Sequence, residues 1–287
     1  MRRATDFRKS PHSERGFTLI EMIVVIVVSG VLLGIVGMFG RQQIDAYIDV
    51  ANRAELADAA DTALRRIGRD LQSALPNSVR QSGTTLIEFV PIRDAGRYRA
   101  DVGSSASDDP LVFSSSSDSS FDVVGPSVSI LSGDQLVVYN TGQAGSDVYA
   151  GTSRRSATVG SNLSKVTFAP AGTQFPIASP QNRFQIVGGP VTYECVPNLA
   201  TPEAGTVIRR WCYDFQSAQP TSFAALTTHA ACTAVKSAVL VSNVAACSFN
   251  YTPAVMQRNG LIALRLRLTR NGESVELLHQ IVVLNTP

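Results

Sequence analysis

Gly16-Phe17-Thr18-Leu19-Ile20-Glu21 opens the stretch that decides the fold, and Met22-Ile23-Val24-Val25-Ile26-Val27-Val28-Ser29-Gly30-Val31-Leu32-Leu33-Gly34-Ile35-Val36-Gly37-Met38-Phe39 continues it. No charged residue occurs from Met22 to Phe39, and the run is long enough to cross most of a bilayer as a helix. A secretory signal peptide puts its small-residue cleavage site after the apolar core. Here Gly16 stands before the core, directly behind Arg15, and one acid, Glu21, lies just inside it. A carboxylate in hydrocarbon costs on the order of a few kcal/mol unless something pairs with it. A cut after Gly16 would free the α-amine of Phe17, a cation at neutral pH. That amine sits at the terminus of the same helix, four residues away, and cannot comfortably reach Glu21. The amine of a neighbouring subunit can, which would couple docking to charge neutralisation. A plain single-pass anchor whose Glu21 snorkels to the interface is the simpler alternative.

Charge along the chain is uneven. The first sixteen residues carry Arg2, Arg3, Arg8, Lys9 and Arg15 against Asp6 and Glu14, which makes them +3 and leaves −1 for the rest of a chain with net charge +2. A basic segment before an apolar span is expected to stay in the cytoplasm, with the remainder in the periplasm. Beyond the leader, Arg residues alternate with Asp and Glu and form no basic stripe, so nucleic acid is not expected as a partner.

After Arg41 the sequence remains helical but becomes amphipathic, with Ile44, Ile48, Ala51, Leu56, Ala60, Ala63, Leu64, Ile67, Leu71 and Leu75 recurring at spacings of three to five. Asp49 to Arg53 and Asp61 to Arg65 stand at the favourable i to i+4 spacing on other faces. The stripe is Ala-rich and drifts from a strict heptad, which argues against a coiled coil. Pro76 is expected to stop the helix. A helix over 17–75 would be roughly 88 Å long at 1.5 Å per residue. The expected division is a leader over 1–16, a helix over 17–75 (17–39 in the membrane, 41–75 amphipathic) and a β-rich globular domain over 76–287.

The opening stretch resembles the class III signal of type IV pilins and type II secretion pseudopilins: Gly16 at the cut, Phe17 next, Glu21 fifth in the mature chain, then an unbroken apolar run. The resemblance implies a type IV pilin-like α+β fold, with a long N-terminal helix packed on a mainly antiparallel sheet. It implies cleavage between Gly16 and Phe17 and N-methylation of Phe17 by a prepilin peptidase. It also implies assembly with other major and minor pilins through an inner-membrane assembly platform and a cytoplasmic ATPase. Many major pilins carry Pro at the position of Met38; here Gly34, Gly37 and Gly40 flank it, and each Gly weakens a helix by roughly 1 kcal/mol relative to Ala.

A narrower resemblance lies further on. The run Ala54-Glu55-Leu56-Ala57-Asp58-Ala59-Ala60-Asp61-Thr62-Ala63-Leu64-Arg65-Arg66-Ile67-Gly68-Arg69-Asp70-Leu71, then Ala74-Leu75-Pro76-Asn77-Ser78-Val79-Arg80, is similar to minor pilin-like biogenesis proteins of the MSHA (mannose-sensitive haemagglutinin) pilus. Gly96-Arg97-Tyr98-Arg99, Gly133 to Asn140 and Gly272-Glu273 echo it, while the central Ser-rich stretch does not. That likeness implies a minor subunit of an initiation or tip complex. The J-type minor pseudopilins of type II secretion share an Arg-rich helix ending and are the second family it resembles.

Past Pro76 the texture changes to β-branched runs, with strands expected at Thr85 to Val90, Gln135 to Tyr139, Lys165 to Phe168, Arg183 to Val187 and Val191 to Cys195. Val102 to Asp122, with its Ser and Asp clusters, reads as a solvated low-complexity loop rather than a calcium loop. Leu261 to Arg270 alternates apolar and polar residues, and Asn271-Gly272 is the preferred type I′ turn pair. The register that follows sets Leu268 against Val275, Leu266 against Leu277 and Leu264 against His279 on the buried side, with Arg267 against Glu276 on the wet side. Cys247, Phe249 and Tyr251 alternate with Ser248 and Asn250 as a third strand of that sheet.

Four cysteines, Cys195, Cys212, Cys232 and Cys247, fall in the last hundred residues, in a compartment that permits disulfides. A hairpin turning around Pro202 to Gly205 favours Cys195 with Cys212 and leaves Cys232 with Cys247; the nested pairing, with Cys195 bonded to Cys247, competes. No CxxC, GxSxG, Walker loop, HExxH or dinucleotide fingerprint occurs, so no metal, cofactor or catalytic residue is expected and the chain does not read as an enzyme. Beyond the leader the histidines are His229, with no carboxylate nearby in sequence, and His279, on the expected apolar face of its strand, so neither reads as a catalytic base. An adhesive tip module is a different reading, with Trp211, Tyr193 and Tyr213 as candidate glycan contacts.

Overall fold

The computed structural model describes residues 16–105, 107–169, 174–253 and 259–283, and of Gln42 only the backbone. Most of the expected leader, residues 1–15, lies outside them. The chain divides into two compact units, 1–51 and 52–287. A helix, α1 (Leu19–Gln72), begins in the first unit and ends in the second. Sixteen strands follow among the described residues. The first nine are short: β1 (Arg80–Ser82), β2 (Leu86–Phe89), β3 (Ile92–Arg97), β4 (Ser120–Asp122), β5 (Val128–Ile130), β6 (Gln135–Val137), β7 (Arg154–Ser156), β8 (Gly160–Leu163) and β9 (Lys165–Thr167). The others lengthen toward the C-terminus: β10 (Arg183–Val187), β11 (Val191–Val196), β12 (Thr206–Trp211), β13 (Lys236–Ser242), β14 (Val244–Thr252), β15 (Gly260–Arg270) and β16 (Glu273–Val283).

In the first unit the helix leaves its apolar side chains outside: Leu33, Ile20 and Ile44 are 72%, 66% and 61% exposed. A surface this apolar is stable only when something other than water covers it. In the second unit the stripe closes. Leu56, Ala60, Ala63, Leu64, Ile67 and Leu71 are buried at helical spacing. Each large side chain so buried stabilises the domain by about 1.5–3 kcal/mol. Gly68 permits the close approach, since a methyl group there would lie 3.3 Å from Ile281 and 3.4 Å from His279. The helix ends at Gln72, three residues short of the expected Leu75. The backbone beyond it is taken by pairing: Leu75 N–H donates to Val90 O at 2.8 Å and Ile92 N–H to Ser73 O at 3.2 Å.

The helix packs on a five-stranded sheet, β1-β2-β11-β12-β13, and a three-stranded one, β14-β15-β16, and all their pairings are antiparallel. A second core lies around the sheet β3-β10-β6-β7 and holds Phe121, Phe168, Phe175 and Phe184. The expected α+β fold, a long apolar helix followed by a mainly antiparallel β domain, is the observed one. The C-terminal hairpin has the expected register, including Leu268 opposite Val275, Leu266 opposite Leu277 and Leu264 opposite His279. Asn271 and Gly272 both take positive φ, 53° and 82°, as a type I′ turn requires. Arg267 stands opposite Glu276, but the ion pair runs diagonally, from Arg265 at 3.2 Å. Among the described residues of the Ser-rich stretch, only Ser120–Asp122 forms a strand. Arg99 with Asp108 and Asp122, and Lys165 with Asp109, tie the segment down.

The favoured disulfide pairing is overturned. Cys195 bonds to Cys247, and Cys212 to Cys232. The connection between β11 and β12 runs over 197–205, so it includes Pro202 to Gly205 but is centred ahead of them, and Cys195 stands opposite Val207 rather than Cys212. Cys212 lies one residue beyond β12, in the left-handed region with φ 65°. The first bond joins the five-stranded sheet to the three-stranded one, and the second closes the long excursion between β12 and β13.

Candidate functional site

Gly16, Phe17 and Thr18 precede the helix, and α1 starts at Leu19. Thr18 is its N-cap. The Glu21 N–H donates to Thr18 Oγ1 at 3.3 Å, while the Thr18 N–H donates back to Glu21 Oε2 at 3.4 Å. The Thr18 hydroxyl lies 3.5 Å from the same carboxylate oxygen. This is a reciprocal capping box, T-x-x-E: the Thr18 N–H is taken by the Glu21 side chain, and the Glu21 N–H is shared between Thr18 Oγ1 and Thr18 O, the latter at 3.1 Å. Its carboxylate also faces the positive end of the helix dipole. The sequence reading took Glu21 for an acid with no partner in its own chain; the spacing of Thr18 to Glu21 was the signal that would have supplied one.

Gly16 is demanded by nothing around it. A methyl group there would meet no atom within 4 Å among the described residues. Phe17 is 81% exposed. Among the described residues, no contact accounts for Gly at 16 or Phe at 17.

The remaining singled-out residues do not converge on a second site. Tyr193 and Tyr213 are fully buried: Tyr193 donates to Asp70 Oδ2 at 2.7 Å, and Tyr213 to Glu88 Oε1 at 2.8 Å. Trp211 packs against the helix core, with Arg209 stacked 5.0 Å over its ring. These aromatics make no common surface. His229 is buried, and its Nδ1 accepts the Ala231 N–H at 3.3 Å. His279 lies against Gly68. Missed in the sequence was a buried polar cluster: Glu88 Oε2 takes an ion pair from Arg80 Nε at 2.6 Å, and the Arg80 guanidinium lies 3.5 Å over the ring of Tyr149. A Glu between Ile87 and Phe89 in an apolar strand was its one local sign.

Residues 11–37 match the family model described as the prokaryotic N-terminal methylation motif, a span that includes Gly16, Phe17 and Glu21. No curated protein and no solved structure matches the chain. The motif, the apolar helix long enough to span a membrane and the β domain after it support a pilin- or pseudopilin-type structural subunit. They fit a single-pass inner-membrane protein with a C-terminal domain.

Proposed function

We propose that the chain is a minor pilin-like subunit that serves assembly of an MSHA-type type IV pilus, in its initiation or tip complex, and that it is similar in role to MshO. Prepilin peptidase cuts between Gly16 and Phe17 and N-methylates Phe17; the leader remains cytoplasmic and the β domain is periplasmic. Glu21 then neutralises the Phe17 amine of a neighbouring pilin. The observation that carries this reading is the methylation motif over residues 11–37 at the head of a helix whose apolar residues are exposed up to Val50. The echoes over 54–80, 96–99, 133–140 and 272–273 favour the MSHA type over a J-type pseudopilin. The burial of Tyr193 and Tyr213 removes two of three aromatics from the adhesive-tip alternative.

Mass spectrometry of the mature protein tests it. N-methylated Phe17 is the expected first residue, and Gly16→Leu is expected to leave the precursor uncut without unfolding the β domain. A mature chain that begins upstream of Gly16, in cells with active peptidase, would sink the reading.

A further inference from the structure

A groove of about 490 Å³ between α1 and β16 is lined by Thr62, Arg65, Gly68, Arg69, Gln72 and His279. All six residues belong to the second compact unit. Thr62, Arg65, Arg69 and Gln72 follow one another at steps of three and four, so they share one face of the helix. His279 meets that face from the inner side of the C-terminal hairpin, where Leu264 stands opposite it. It comes close because residue 68 has no side chain: a methyl group there would lie 3.4 Å from His279 Nε2. The glycine keeps the floor of the groove open.

The lining has one chemical bias. Each of its polar side chains can donate a hydrogen bond, and none is an acid. Past residue 16 the chain carries −1, so the positive charge here is a local excess and not a property of the whole domain. Arg65 gives its Nε–H to Asp61 at 2.6 Å, one turn back along the helix. Thr62, Arg69, Gln72 and His279 have no side-chain hydrogen-bond partner among the described residues. A cation in the last turn of a helix complements the helix dipole, which accounts for Arg69 alone. It does not account for a hydroxyl, an amide and a half-buried imidazole that converge on the same space with no carboxylate among them.

Such a lining fits an oxyanion. Guanidinium groups hold carboxylate and phosphate alike through paired N–H donors. The number and direction of the donors separate the two. One fork occupies both oxygens of a planar carboxylate, whereas a phosphate group presents three acceptor oxygens to donors from several sides. Here the donors come from two elements, and the volume lies in the range of small-molecule sites, with room for more than the phosphate itself. We infer that the groove between α1 and β16 binds a phosphate group, carried by a small ester or by a lipid headgroup, with Arg69 as its charge partner and Gln72 and His279 as further donors. The inference stands on the groove alone and does not depend on the pilin-subunit reading.

The test uses the full chain in dodecyl maltoside micelles, titrated calorimetrically with glycerol 3-phosphate, with acetate, and with phosphatidylglycerol added to the micelles. Glycerol 3-phosphate is expected to bind saturably, at least about tenfold more tightly than acetate, and more weakly as salt is raised. Tighter binding of phosphatidylglycerol than of glycerol 3-phosphate identifies a lipid headgroup as the source, and the reverse order identifies a soluble ester. Arg69→Gln is expected to lower the affinity at least about tenfold, while Arg267→Gln, on the outer face of the hairpin, leaves it unchanged. Arg65→Gln serves as the readout if Arg69→Gln fails to accumulate. No saturable binding of either phosphate ligand, acetate bound as tightly as they are, or equal losses from the groove variant and from Arg267→Gln overturn the proposal.

Discussion

Glu88 has no exposed surface, yet it is ionisable, and the side chains around it come from far apart in sequence: Arg80, Tyr213 and, through the Tyr213 hydroxyl at 2.6 Å, Thr192. Burial pushes its carboxyl above the ordinary 4.5, against the opposing pull of Arg80 and Tyr213. A raised acid binds its proton more tightly folded than unfolded. Its contribution to stability is therefore fully present below about 4.5 and is lost as pH rises through the folded value. The stability of the wild type relative to Glu88→Gln, measured by denaturant unfolding, is expected to be greatest near the acid end and to shrink toward neutral pH. The opposite slope would mean that attraction to Arg80 outweighs desolvation. Glu88→Ala leaves Arg80 without its carboxylate, and breaking such a pair costs about 3 kcal/mol, at the low end because Arg80 keeps 20% of its side chain exposed and two carbonyl partners, Ser217 O and Gln216 O. None of this was legible from the chain, since the partner Tyr213 is 125 residues away. Thr18 and Glu21, three residues apart, were legible and were passed over.

Local elements carried their own instructions. The C-terminal hairpin could be read residue by residue because alternation fixes the faces and Asn271-Gly272 fixes the register. The stripe from Leu56 to Leu71 could be read because helical spacing is local. The disulfides could not, because their geometry depends on where the β11-β12 turn falls and on how two sheets meet. A shift of the turn by two or three residues exchanges one pairing for the other. The observed bonds close loops of 52 and 20 residues. Loop-closure entropy then gives about 4 kcal/mol for Cys195 with Cys247 and about 3 kcal/mol for Cys212 with Cys232. The double replacement of Cys195 and Cys247 by Ala is expected to cost more than that of Cys212 and Cys232, read as the loss in unfolding free energy from denaturant curves with m fitted for each variant, since the freed chain exposes more surface when unfolded. A non-reducing peptide map that links Cys195 to Cys212 would contradict the sheet junction described here.

Across the whole molecule, one helix serves two environments: up to Val50 its apolar side chains stand outside, and from Leu56 they close a core. Glu21 belongs to the first environment, where two roles now compete. As half of the capping box it is a local device, worth about 1 kcal/mol to the helix start. As the counter-charge of a neighbour's Phe17 amine it is a docking group, and removing one member of a buried pair costs about 3 to 5 kcal/mol, enough to disfavour a subunit's entry by more than a hundredfold. Two substitutions separate these roles. Glu21→Gln keeps an oxygen that can accept the Thr18 N–H but carries no charge, whereas Glu21→Ala loses both. If the cap is the whole role, Gln behaves as the wild type and Ala shows a small defect. If neutralisation governs docking, Gln and Ala fail alike. The measurement is made in a deletion strain that expresses each form, after cleavage at Gly16 is confirmed by mass, by counting surface filaments and recovering partner pilins. Both variants are expected to be processed and to be lost from the assembly to the same degree. Wild-type recovery with Glu21→Gln would assign Glu21 to its own helix and remove the docking role.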